Sequence, residues 1–274
     1  MCRIAAKAVS AALAGPDGAR VVRIRLRVVC ALLVAGLLPD AAVAADESVS
    51  VVFRNKPPYS YVENGVQKGF LLARAQQLFA AAGLRARFEE MPPARMWAEL
   101  RANAAPLCSF GWYRLPEREA FARFSLPIHT DRPQVVLTRA DMAPRLRRHT
   151  SFAALLQAGD QRFGVVDAVS YGPELDRLIA GARVPVSRVL DAPVRAIWML
   201  AAGRFDFMIV DQDDLDFYLA NTPDLKNQKL ERVDFPDMPP GMTRHILCSR
   251  QVPEAWMQRL DDAIRKQVET PRKR

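Results

Sequence analysis

Histidine and cysteine are scarce in this 274-residue chain, which holds three of the first and four of the second. His129, His149 and His245 are too widely spread to read as a metal-ligand set. Beyond residue 44 only Cys108 and Cys248 are left, at a spacing that matches no metal pattern. No serine, cysteine or metal constellation with recognisable spacing is present, which argues against hydrolysis, so no catalytic residue, metal or cofactor is assigned. Long apolar runs are missing too: Val28–Leu38 is well short of the ~20 residues that span a bilayer. Lys and Arg form no dense block except Arg272-Lys-Arg274, so nucleic acid is not expected as a partner.

What the chain does carry at its start is an export pattern. Arg23, Arg25 and Arg27 precede the apolar run, and Ala42-Val-Ala44 supplies small residues at the cleavage positions. Residues 1–44 read as a secretory signal cleaved after Ala44, with a periplasmic product. Residues 1–20 add nothing a signal needs and read as an over-long start, and Cys30 lies upstream of the cleavage point, badly placed for lipid attachment. Such a compartment permits a disulfide. The chain has 39 Lys and Arg against 30 Asp and Glu; without the six cations and two anions of residues 1–44 it has 33 against 28, a net charge of +5. That balance suits an anionic small ligand or a nearby anionic membrane surface.

Beyond residue 44 the apolar pattern alternates between two periods. Ser48–Phe53 is β-rich and closed by Asn55-Lys-Pro-Pro58; Gly69–Gly83 has helical spacing and a glycine stop; Arg85–Phe88, Arg95–Leu100 and Ala105–Phe110 read as strand, helix and strand. The order β-α-β-α-β predicts a parallel sheet with right-handed crossovers. After the strand Pro133–Thr138 and a polar connection, the alternation restarts: helix Phe152–Gln157, strand Arg162–Val166, helix Tyr171–Ala180, strand Val184–Val189, helix Val194–Ala202, strand Asp206–Val210 and helix Asp213–Leu219. Val233–Pro240 reads as irregular, Arg244–Cys248 as a strand and Pro253–Val268 as a closing amphipathic helix. The restart predicts two α/β lobes, the second inserted in the first: residues 45–138 and 233–274 make lobe 1, residues 139–232 make lobe 2, and a cleft lies between them.

The densest local signal is Pro106-Leu-Cys-Ser-Phe-Gly-Trp-Tyr-Arg-Leu-Pro-Glu-Arg-Glu119, followed by Phe124-Ser-Leu-Pro-Ile128. An apolar strand runs through a glycine and an aromatic pair into a helix start, placing Arg118 beyond the carboxyl end of a strand, where open α/β sheets bind ligands. A guanidinium there can grip both oxygens of a carboxylate and never loses its charge. Taken alone, the same tripeptide equally suits a surface Arg paired with Glu117 or Glu119.

In this order and spacing the residues resemble the bacterial family 3 solute-binding proteins, the polar amino-acid type of periplasmic receptor that feeds ABC importers. The resemblance covers residues 48–270 and rests on Pro57-Pro-Tyr-Ser-Tyr-Val62 with Gly69-Phe, Pro116-Glu-Arg-Glu119 with Phe124-Ser-Leu-Pro127, Gly164-Val-Val, Ala202-Gly-Arg-Phe-Asp206 and Asp211. It implies a two-lobed α/β fold of the periplasmic-binding-protein type (type II), a small-molecule ligand in the cleft, an inner-membrane ABC permease as partner, and a monomer. It also implies that Arg118 holds a ligand carboxylate and Asp211 a ligand ammonium, although Asp211 equally suits a helix cap. Ser170 falls in a turn where related receptors place a hydroxyl on the carboxylate, or caps a helix. Tyr59 and Lys56 lie in the first cleft loop, Tyr59 as ligand contact or core. Trp112 and Tyr113 cover an apolar ligand group or pack internally. Lys56 and Arg95 hold a second ligand anion or form a solvated rim. Related receptors carry Ser or Thr near Gly111 or Tyr113, so ligand identity does not transfer.

The same architecture makes the strands of Cys108 and Cys248 neighbours, where a disulfide and two buried thiols are both open readings. Two rival functions stay beside transport: a dehydratase-like enzyme acting on a prephenate-like acid, and a sensory receptor.

Overall fold

The computed structural model describes residues 48–167, 169–190 and 193–269, all within the compact unit Glu47–Arg274. The expected signal over residues 1–44 and the basic cluster 272–274 lie outside the described residues. Strand β1 (Ser48–Phe53) is followed by β2 (Tyr61–Glu63), β3 (Val66–Lys68), helix α1 (Phe70–Ala81), β4 (Arg85–Glu90), α2 (Pro93–Ala102), β5 (Leu107–Tyr113), the single turn α3 (Pro116–Glu119) and β6 (Ala122–Thr130). The second run holds β7 (Val135–Arg139), α4 (Ala143–Leu146), α5 (Phe152–Ala158), β8 (Phe163–Val166), α6 (Pro173–Ala180), β9 (Val186–Val189) and α7 (Pro193–Ala201). It continues through β10 (Phe207–Val210), α8 (Gln212–Asn221), α9 (Pro223–Lys226) and β11 (Leu230–Val233), after which come β12 (Thr243–Ser249) and α10 (Glu254–Glu269).

The strands make two five-stranded sheets, β4-β1-β5-β12-β6 and β11-β7-β10-β8-β9, and a small β2-β3 hairpin. Strand β1 pairs in parallel with β4 and β5, the product of two β-α-β crossovers, and β12 returns antiparallel between β5 and β6. Each sheet is covered on both faces, and alternate residues of a strand go to opposite cores. Val51 and Phe53 join Leu71, Leu78 and Phe79 of α1 and Leu260 of α10, whereas Val52 packs with Met96, Leu100 and Trp112. In the second sheet Phe207 and Ile209 meet Phe152 and Phe163, while Met208 and Val210 meet Ile197 and Leu200.

The lobes change over earlier and later than the boundaries 138/139 and 232/233. Strand β7 pairs with β10 and β11, so Val135–Arg139 belongs to the second sheet and residues 131–134 make the first crossing. Residues 234–242 make the return. Cys248 is opposite Cys108 in the β5-β12 register, and the two are joined by a disulfide across a sequence separation of 140. No described helix is long and apolar enough to cross a membrane.

Candidate functional site

Residues at the carboxyl ends of β1 (Arg54, Lys56), β5 (Trp112, Tyr113), β8 (Val166) and β10 (Val210, Asp211) line one cavity of about 350 Å³, shared by both sheets. Its volume lies in the range of small-ligand sites, and its position is the one open α/β sheets favour. Backbone geometry builds the first wall. Gly69 has φ 123°, and a Cβ there would fall 2.3 Å from the Tyr59 carbonyl oxygen, so only glycine lets the loop after β1 touch the start of α1. The N–H groups of Leu71 and Leu72 then donate to that carbonyl at 3.1 and 3.0 Å, and Phe70 donates to Pro58. Helix α1 thus directs its orphan N–H groups to the loop that carries Lys56 and Tyr59.

Lys56 reaches across to α8 of the other lobe, its Nζ 2.6 and 2.7 Å from the two carboxylate oxygens of Asp214. Burial pulls the Lys56 pKa down and pushes that of Asp214 up, each opposed by the partner's charge. Asp211 caps α8, accepting from the N–H groups of Asp213 and Asp214 at 2.9 and 3.1 Å. Its carboxylate also accepts from the Tyr59 hydroxyl at 2.8 Å and from Arg244 Nη2 at 3.4 Å. Burial pushes the Asp211 carboxyl up, but the charges of Lys56 and Arg244 and the Tyr59 hydrogen bond hold it below its ordinary value.

Arg244 on β12 is 4% exposed and anchors this network. Its Nε donates to Asp131 at 2.7 Å and its Nη1 to the Gly111 carbonyl at 3.0 Å. Gly111 adopts φ 81°, the left-handed turn of β5 that presents this carbonyl. Tyr113 donates its hydroxyl to Asp131 at 2.6 Å, and its guanidinium neighbour Arg244 lies 4.8 Å from the ring centroid.

Arg118 lines the cavity, with Nη1 donating to the Tyr113 carbonyl at 3.0 Å and Cζ 5.1 Å from the Trp97 ring. Burial lowers its pKa. Of the alternative surface pairings with Glu117 or Glu119, the one with Glu119 falls instead to the exposed Arg114, 2.5 Å from that carboxylate. Trp112 is 5% exposed, donates its indole N–H to Ser109 and meets Trp97 edge to face at 4.5 Å, so it is both core and cavity wall. Ser170 lines the cavity from the second lobe, but its hydroxyl donates to Asp176 at 2.7 Å and accepts from Gly172 N–H, which organises the start of α6. Tyr59 is 2% exposed and belongs to the core; it meets the site through its hydroxyl and through its ring, against which Lys56 Nζ and Arg244 Cζ lie at 4.4 and 4.2 Å.

Of the eight candidates, Tyr59 and Arg95 do not line this cavity, and Arg95 takes no part in its network. The period of α2 turns Met96 and Leu100 inward and leaves Arg95 on the outer face, paired with Glu99 at 2.6 Å. Three charged residues of the cavity went unrecognised in the sequence, Arg54, Asp214 and Arg244. Arg54 directly follows β1, a position that was itself a signal; Asp214 is one helical turn from its own cap; Arg244 sits in an ordinary apolar strand and carried none. Among the described residues no group of three or more His, Cys, Asp and Glu side chains is arranged to hold a metal ion.

No curated protein sequence matches the chain. Among solved structures, one described for glutathione import via GshT and the cystine ABC importer TcyBC of Streptococcus mutans is similar, with a TM-score of 0.63 and 17% identity, covering 82% of this chain and 90% of that one. The arginine-, lysine-, histidine-binding protein ArtJ of Geobacillus stearothermophilus gives 0.62 and 20%, covering 81% and 90%. The periplasmic VFT2 domain of Bordetella pertussis BvgS gives 0.60 and 21%, covering 80% and 88%. At these identities the likeness is one of fold. Residues 49–270, most of the chain, match the bacterial extracellular solute-binding proteins, family 3, and the chain belongs to that family.

Proposed function

We propose that this solute-binding protein works in the periplasm after cleavage behind Ala44, as a monomer, and closes its lobes on a small carboxylate-bearing ligand that it delivers to an ABC permease. The observation that carries the reading is the cavity shared by both sheets with the Arg118 guanidinium in its wall. Among the described residues Arg118 has one side-chain hydrogen bond, to a backbone carbonyl, which leaves most of its donor fork for a ligand anion. Trp97 and Trp112 beside it suit the apolar body of the ligand. Binding without turnover agrees with the family and with a cavity whose two carboxylates are both engaged by neighbouring side chains.

A thermal-shift screen of the full chain against amino acids, opines, polyamines and organic acids tests the proposal, since a ligand that binds only the folded state stabilises it by mass action. At least one carboxylate should raise the melting temperature with saturable dependence and be recovered unchanged. A panel without any such compound overturns the receptor reading, and consumption of the compound converts it into an enzyme.

A sensory role uses the same cleft. What favours it is that the lobes are tied directly by Lys56 to Asp214 and by Tyr59 to Asp211, contacts that need no ligand to form. Small-angle scattering of unloaded protein separates the two: a sensor of this kind stays closed, whereas a transport receptor opens.

A further inference from the structure

Accepting that the cavity is a receptor site for a carboxylate, its charges say which carboxylates it admits. Asp211 and Asp214 are the only acidic residues in its lining among the described residues. Both oxygens of Asp214 face the Lys56 ammonium. Asp211 is held by two backbone N–H groups, the Tyr59 hydroxyl and Arg244. An ammonium brought in by a ligand has no free carboxylate to meet. To reach Asp214 it has to displace Lys56, leaving a second ammonium without a partner in a desolvated cleft.

The opposite end of the cavity has the opposite deficiency. Arg54 makes no side-chain hydrogen bond or ion pair among the described residues; its Cζ lies 4.3 Å from the Trp112 ring centroid, and that of Arg118 lies 5.7 Å from the same centroid. Burial, and then the neighbouring charge of Arg244, bring the Arg54 pKa down to about 10 against the opposite pull of Asp214 and Tyr113, with Arg118 adding a smaller push downward. Four cations line the cavity against two carboxylates, and a third carboxylate, Asp131, stands behind Arg244. Lys56 and Arg244 are ion-paired within the protein, whereas Arg54 and Arg118 feel the more distant charges of Asp214 and Glu117 and make no ion pair among the described residues.

We infer that the ligand is an organic acid without an α-ammonium group, its carboxylate held between Arg54 and Arg118 against Trp112, and that Lys56 excludes amino acids by occupying the Asp214 carboxylate from within. The site therefore prefers a 2-oxo or des-amino acid to the amino acid of the same skeleton.

Calorimetry on the full chain with matched pairs tests this: glutarate and 2-oxoglutarate against glutamate, and 3-phenylpropionate and phenylpyruvate against phenylalanine. The acid should bind at least about tenfold more tightly than its amino counterpart in whichever skeleton fits, a difference of about 1.4 kcal/mol. Lys56→Met, which frees Asp214, should narrow or reverse that ratio by strengthening the amino partner. Equal or tighter binding of the amino acid by the parent protein overturns the exclusion while leaving the receptor reading intact. Binding of neither member of any pair, with a different α-amino acid stabilising the protein, overturns the class of ligand, whereas a different carboxylate without an ammonium supports it; binding of no carboxylate at all overturns the receptor reading itself. The parent comparison decides the matter even where Lys56→Met fails to fold.

Discussion

The two ends of the cavity are built from the same residue types and solve opposite problems. At one end Lys56, Arg244, Asp131, Asp211 and Asp214 form a network in which every charge meets an opposite one, with Tyr59 and Tyr113 filling the hydrogen bonds that are left. At the other, Arg54 and Arg118 stand against Trp97 and Trp112 with no carboxylate in ion-pair contact among the described residues. The first end is a structural joint between lobes, since Asp211 and Asp214 come from α8 and Lys56, Tyr59 and Arg244 from the first lobe. The second end is where an incoming anion gains most. Buried charge alone therefore does not identify a ligand contact; buried charge without a partner does.

The largest effect expected from breaking this contrast is at the balanced end. Asp131→Ala leaves Arg244, 4% exposed, without its closest carboxylate, and should cost about 4 kcal/mol of stability in urea unfolding. A cost as small as that of a surface pair would dissolve the distinction between the two ends.

Next in size is Arg118→Ala. It should weaken the ligand by about 3 kcal/mol in calorimetry while leaving the urea midpoint near that of the parent, because the side chain has one hydrogen bond to lose among the described residues. Arg114→Ala, which removes an exposed ion pair with Glu119, should change neither. Equal small losses at both positions remove Arg118 from the site.

Asp211 sharpens the comparison further. As a helix cap it should lose about 1–2 kcal/mol of stability on change to Ala and much less on change to Asn, which also caps. Ligand affinity should follow the same order. If Asp211→Asn instead abolishes binding of an amino acid and spares its des-amino analogue, the carboxylate is a ligand contact.

The smallest effect is that of acid. Burial lowers the pKa of His129, beside Asp131, and of His245, whose Nδ1 is 2.8 Å from the Ser125 carbonyl. Groups held neutral in the fold bind fewer protons than in the unfolded chain between their folded pKa and about 6.5, so stability is complete above that range and falls as pH drops through it. The urea midpoint should be lower at about pH 5.5 than at about pH 7.5. An unchanged midpoint would mean that neither ring is held neutral.

Local signals carried most of the elements. Period and punctuation were enough for β1, α1, β4, α2, β5 and the restarted alternation of the second lobe, because each buries a face that its own sequence marks. Four strands were left unassigned: β2 and β3 of the small hairpin, and β6 and β11, which are both edge strands of the large sheets. β6 carries Pro127, which a sheet edge tolerates because the N–H it lacks need have no partner there. β11 reads Leu-Glu-Arg-Val, with polar residues that an edge tolerates. The lobe boundary slipped for a related reason: nothing in Val135–Arg139 says which sheet it will join.

The sequence by itself determined the alternating α/β order, the two lobes, the family and the placing of Arg118 past the end of a strand. Periodicity, turn residues and motif spacing are properties of neighbours along the chain. Tertiary structure alone decided which charges are already neutralised. Lys56 and Asp214 are 158 residues apart, and Arg244 and Asp131 are 113 apart. Only when the fold brings such groups within hydrogen-bond distance, in a setting that excludes water, does a charge become either a joint or a site.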